Sequence, residues 1–215
     1  LHKKFDANVK VMRLPGHGTK VEDLDNVEYG DFIKKVEKEV EKDLRKGRKI
    51  VVGGVSFGAQ IALLIAAKYP VVGVFHTGIP YRFKFPFNIY GIKYLGLIRK
   101  YWKKRINEKE SYLRRNAFHY KYMHSRGLNI AHKANNNIKV ILKNIRAPCL
   151  SIHSREEILG HYKSIELIER SISSSIKKKY IFKNDTHNIF FSDKNEEVKQ
   201  VISDFFRENG VFNDI

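Results

Sequence analysis

The chain has 215 residues and a formal net charge of +18, with 42% hydrophobic and 12% aromatic residues. That length and apolar content suit one globular domain with a full core, and they exclude a disordered chain. The longest stretch without a charge, residues 50–67, holds glycines and a serine and is followed at once by Lys68 and Pro70. It therefore reads as a buried strand and helix rather than a membrane span.

Strand and helix signals alternate through most of the chain. Residues 8–14 read as a strand ending in Pro15-Gly16-His17-Gly18. Residues 29–48 carry Phe32, Ile33, Val36 and Val40 at helical spacing, with charges on the other face. A β-branched strand signal over 49–53 leads into Gly54-Val55-Ser56-Phe57-Gly58, and strong helix formers follow over 59–67. Residues 71–75 predict another strand. After the middle of the chain come a strand over 149–153, a helix over 161–172, a strand over 179–182 and a closing helix over 195–206. This β-α alternation predicts a mostly parallel sheet covered by helices.

Residues 81–137 break the pattern, mixing aromatic and basic side chains without strand alternation. Stretches 89–104 and 108–124 look helical, so this part is expected to be a cap inserted between two sheet strands. The expected division is 1–79 and 138–215 for the two parts of the core and 80–137 for the insertion. Sixteen Lys/Arg stand against Glu108 and Glu110 between residues 80 and 144, which places +14 of the +18 in one region.

The single cysteine, Cys149, excludes an intramolecular disulfide. Its apolar surroundings read as a buried structural thiol, and a reducing, cytoplasmic compartment is expected. No signal peptide is legible, and because the chain begins at Leu1 a natural start upstream is expected.

A G-x-S-x-G between a strand and a helix is the pattern of a nucleophile elbow. The turn is expected to be too tight for side chains at either flank, hence two glycines, and it sets the Ser56 hydroxyl at the N-terminus of a helix. A serine hydroxyl needs a base, and the base an orienting acid. His187 follows the last strand signal and precedes the closing helix. Two carboxylates, Glu156 and Glu157, follow the strand that ends near His153. No HExxH or zinc-finger spacing exists, so no metal is expected, and His17 reads as a loop-shaping residue. A phosphate loop is excluded because Ala59-Gln60, not Lys-Ser/Thr, follows Gly58.

Three segments then carry a resemblance: Arg13-Leu14-Pro15-Gly16-His17-Gly18-Thr19, Gly53-Gly54-Val55-Ser56-Phe57-Gly58-Ala59, and Thr186-His187-Asn188-Ile189-Phe190-Phe191-Ser192-Asp193. In this order they resemble the α/β-hydrolase fold, and most of all its carboxylesterases and monoacylglycerol lipases with a small cap. The resemblance implies Ser56 as nucleophile, His187 as general base and Glu157 as orienting acid, where the family more often has Asp. Glu156 and Asp185 stand as alternatives for the acid. It also implies the Phe57 N–H as one oxyanion donor. The second donor belongs to an HG-type loop ahead of residue 9. Residues 1–5 look like the tail of the helix after that loop, so the chain is read as lacking the first strands of the fold. The expected substrate is a small-molecule ester with an apolar acyl or aryl group, with no cofactor. For the basic insertion, weak contact with an anionic membrane surface is weighed, and nucleic acid is not expected, since no RNP, KH or helix-turn-helix signature is present. A non-catalytic binding protein of the same fold is the competing expectation.

Overall fold

A computed structural model of the chain describes residues 7–84, 94, 98–104, 120–183 and 187–212. Helix α1 (Tyr29–Leu44) opens with a capping box in which the Glu28 N–H donates to Asp31 Oδ2 at 2.8 Å. The β-branched run becomes strand β1 (Val51–Val55), followed at once by α2 (Phe57–Lys68) and then β2 (Gly73–Thr77). Two short strands, β3 (Tyr101–Lys103) and β4 (Tyr122–His124), precede α3 (Ser125–Ile141). The chain continues through β5 (Cys149–Ser154), α4 (Ser164–Ser171), β6 (Lys177–Phe182) and α5 (Asn195–Glu208).

The main sheet has the order β1-β2-β5-β6, and every pairing is parallel. Side chains alternate across it as the pleat requires. Val52, Val74 and Cys149 face the core formed with α1–α4, whereas Val51, Phe75, Leu150 and Ile152 face Phe205 and Phe206 of α5. Helix α2 is apolar nearly all round, which suits a helix sunk between the sheet and α3. Strand β6 carries Lys177, Lys178 and Lys179 in exposed positions, a charged run suited to a sheet edge. Cys149 is buried, and burial pushes its thiol up to about 12, so it stays protonated and inert.

Two expectations are corrected. Residues 8–14 form no strand: Val9 and Val11 stand exposed, Val11 at 93%, and no described strand pairs with them. A strand-like stretch does not make a strand by itself, because the backbone groups need a ladder partner. Within the stretches expected to be helical, Tyr101–Lys103 and Tyr122–His124 pair antiparallel, with Trp102 opposite Met123. Aromatic residues suit a pleated, half-buried surface, and cross-strand pairing overrode the helical spacing. The remainder of those two stretches lies outside the described residues. The hairpin docks on the 3-10 turn Val21–Asn26, where Asp25 accepts from His124 at 2.8 Å and from Lys100 at 2.5 Å. Helix α3 runs across residue 137, and its Ile130, Ala134 and Ile138 belong to the main core. No helix among the described residues is long and apolar enough to cross a membrane.

Candidate active site

In a parallel sheet all strands end on one edge, and loops leaving that edge meet. Ser56 follows β1, Gly78 follows β2, Glu157 follows β5 and His187 follows β6. Four residues distant in sequence are thereby delivered to the same side of the sheet.

Ser56 has φ 55° and ψ −118°, and no other non-glycine residue among those described has a positive φ. Such backbone costs on the order of 1–3 kcal/mol and persists only where its surroundings enforce it. Here the Ser56 N–H donates to Thr77 O at 2.9 Å, while Ser56 O accepts from Ala59 N at 3.0 Å and Gln60 N at 3.3 Å. Although Ser56 is the N-cap of α2, its side chain makes no cap hydrogen bond, so the hydroxyl is not consumed by the helix end. Phe57 contributes the first N–H of α2, which has no acceptor within the helix and lies at its positive end. The Phe57 ring packs edge-on against Phe32 at 5.0 Å, and Phe32 in turn meets His17 at 5.9 Å. His17 Nδ1 bonds Pro15 O at 2.9 Å, which shapes its own loop.

The glycines flanking Ser56 differ. A Cβ on Gly54 would lie 2.1 Å from Gly58 O and 2.6 Å from Ala59 N, which are backbone atoms that cannot yield. A Cβ on Gly58 would meet no described atom within 4 Å. Only the first flank is closed by packing, because the chain folds back over Gly54, whereas Gly58 already lies on the open side of α2.

Glu157 is 1% exposed and bonds His187 Nδ1 through Oε2. Its other oxygen accepts from Leu159 N at 2.8 Å and Gly160 N at 3.4 Å. Burial alone would raise its carboxyl, but the charge and hydrogen bond of His187 and the Leu159 N–H outweigh that and hold it below the usual carboxylate range. An ionised carboxylate against Nδ1 requires the proton there and leaves Nε2 as the imidazole's acceptor. Glu156 is exposed and turns back toward Ser154, whose Oγ lies 3.5 Å away. Asp185 lies outside the described residues.

Gly78 links the two halves and is not singled out by sequence reasoning. It follows Thr77, the partner of Ser56, and has φ +55°. A Cβ there would sit 3.1 Å from His187 O, 3.2 Å from Glu157 Oε2 and 3.4 Å from His187 Nδ1. The available signal was a glycine directly after a strand, in Thr77-Gly78-Ile79-Pro80. Behind the site His76 is fully buried with Nε2 2.8 Å from Ser151 Oγ, and burial pushes it down to about 3. Among the described residues no three His, Cys, Asp or Glu side chains gather as a metal site.

Solved structures share this architecture. One of the two metagenome-derived lipolytic enzymes LipS and LipT superposes with a TM-score of 0.78 at 16% identity, over 90% of this chain and 79% of its own. The monoacylglycerol lipase of Paleococcus ferrophilus gives 0.69 at 15% identity, over 83% and 75%. A soluble variant of the Saccharomyces cerevisiae monoglyceride lipase gives 0.66 at 16%, over 87% and 70%. At such identities the likeness is one of fold. No curated protein sequence matches significantly. The sequence model of the alpha/beta hydrolase family matches residues 1–198. With a serine turn after one parallel strand and an acid–histidine pair after two later ones, this chain belongs to the alpha/beta hydrolase family.

Proposed function

We propose that the protein is a serine hydrolase that cleaves carboxylic esters through an acyl-enzyme on Ser56. The observation that carries this reading is the left-handed Ser56 bonded to Thr77, with the Glu157–His187 pair lodged against the next residue, Gly78. In the reaction His187 Nε2 takes the Ser56 proton as Oγ attacks the ester carbonyl carbon. The carbonyl oxygen gains the negative charge and faces the Phe57 N–H at the positive end of α2. Collapse expels the alcohol, which leaves with the proton held by His187. Water then attacks the acyl carbon, gives its proton to His187, and the carboxylic acid departs as Ser56 regains its proton. Glu157 keeps the proton on Nδ1 and stabilises the imidazolium. The aromatics of residues 81–122 favour an ester with an apolar acyl or aryl group.

A fluorophosphonate probe tests this directly. The protein is expected to label and the Ser56→Ala variant to stay unlabelled. Labelling that survives in the variant, or none in the parent, overturns the reading. A second reading follows from the +14 of residues 80–144: a non-catalytic protein of this fold bound at an anionic membrane surface. It predicts binding to phosphatidylserine vesicles that falls steeply with salt, with no labelling of Ser56.

A further inference from the structure

The acid turn does not stand alone. Residues 81–84, the first to leave the core for the basic middle of the chain, lie antiparallel beside residues 157–161. Phe83 bridges Gly160, the Lys84 N–H donates to Leu159 O at 2.8 Å, and the His161 N–H donates to Arg82 O at 2.8 Å. The Arg82 N–H donates to Ser164 Oγ at 3.0 Å. On its other side the segment is tied to α3, with Asn135 Nδ2 donating to Tyr81 O at 2.7 Å and the Phe83 ring stacked on His132 at 4.1 Å. Gly160 fits so closely that a Cβ would lie 2.9 Å from Ile79 O.

Within this clamp the Lys84 ammonium donates to the backbone carbonyl of Glu157. Glu157 is thus held at both ends. Its carboxylate grips the N–H groups of Leu159 and Gly160, and its carbonyl is gripped by a side chain from the segment that enters the insertion. We propose that Lys84 is a positioning residue for the triad, fixing the backbone of Glu157 so that its carboxylate meets His187 and tying that geometry to the seating of residues 81–84. This rests on the function proposed above. Lys177 and Lys194 also donate to main-chain carbonyls, but the carbonyl that the half-buried Lys84 takes is that of the acid itself. A displacement near 1 Å at a catalytic group can cost roughly a hundredfold, so loosening one of several ties should cost less.

The test compares Lys84→Met and Lys84→Arg with the parent protein, each first shown folded by its thermal transition. Lys84→Met is expected to lower kcat about tenfold with KM within about twofold. The acidic limb of its pH profile should move, because a poorly placed carboxylate and the loss of a neighbouring cation both change the proton affinity of the His187–Glu157 pair. Lys84→Arg should restore both, since it can still reach the carbonyl. Unchanged kcat and an unchanged limb in Lys84→Met would overturn the proposal, as would a Lys84→Arg variant no better than Lys84→Met. The downfield proton resonance of the His187–Glu157 hydrogen bond gives a readout that needs no substrate. It should shift or broaden in Lys84→Met and persist in Lys84→Arg, and no difference between Lys84→Met and the parent sinks the idea. If Lys84→Met does not fold, the same resonance is read in Lys84→Gln, where an unchanged signal is equally fatal. If the parent neither labels nor turns over, the hydrolase reading fails while the resonance still decides the role of Lys84.

Discussion

The two halves of the site are built by different means. The serine half is backbone: β1, a single residue with positive φ, and a helix that begins on the next residue. Its geometry is set by covalent connectivity and by Gly54, and the Ser56 side chain makes no cap hydrogen bond to the helix it opens. The glutamate–histidine half is side chain: Glu157, His187 and Lys84 come from three loops and are joined by hydrogen bonds. The difference predicts how each half fails. A backbone-built site should fail together with the fold, whereas a side-chain-built one should lose function and keep its structure.

Gly54→Ala probes the first half hardest. A Cβ 2.1 Å from a backbone oxygen cannot be relieved by a rotamer change, so a loss of about 3 kcal/mol or more is expected, or no soluble protein. Gly58→Ala, with open space around it and a helical position, should be neutral or gain up to about 1 kcal/mol. Urea denaturation of both decides; equal effects would mean that the two flanks of the turn are equivalent after all. In the other half Glu157→Gln should cut kcat by roughly 10³–10⁴ while lowering the unfolding midpoint far less than Gly54→Ala does, and Glu156→Gln should stay within about threefold. The reverse ranking in steady-state ester hydrolysis would move the orienting acid by one position.

Gly78→Ala sharpens the comparison because it touches both halves. Its φ of +55° and the crowding against His187 and Glu157 should cost about 1 kcal/mol in stability and about a hundredfold in kcat. An activity loss no larger than the stability loss explains would show that Gly78 is only a turn residue. Acid should act on the glutamate–histidine half and on the strand between the halves. Glu157 is held below its ordinary value, so its contribution is present above the unfolded pKa and is lost as pH falls through the folded one. His76 is pushed down from 6.5 to about 3, so the unfolded chain takes the proton first and stability falls as pH drops below about 6.5. His76 alone accounts for roughly 2 kcal/mol between neutral pH and pH 5. Urea midpoints at pH 7.5 and 5.0 should separate for the parent protein and draw together in His76→Gln.

Much of this was legible in the sequence because it is local. The strand-turn-helix around Ser56 is written in consecutive residues: β-branched side chains, two glycines around a serine, then helix formers. The helices over 29–44 and 195–208 are legible for the same reason, since the spacing of Phe32 and Val40, or of Val198, Ile202, Phe205 and Phe206, marks the buried face. Residues 8–14 misled because a strand-like composition does not report a ladder partner. The aromatic residues at 101–103 and 122–124 misled because pairing across twenty residues leaves no mark in either stretch alone.

The sequence by itself determined the class of fold, the order of its core elements and the serine turn, since each depends on residues close together in the chain. Only the tertiary structure decided which of two adjacent glutamates is buried against His187, why Gly54 and not Gly58 closes the turn, and that Gly78 and Lys84 belong to the same neighbourhood. Those facts depend on parallel strands ending at one edge of a sheet. That edge gathers loops as far apart in the chain as Ser56 and His187, and no pattern within any one of them records the others.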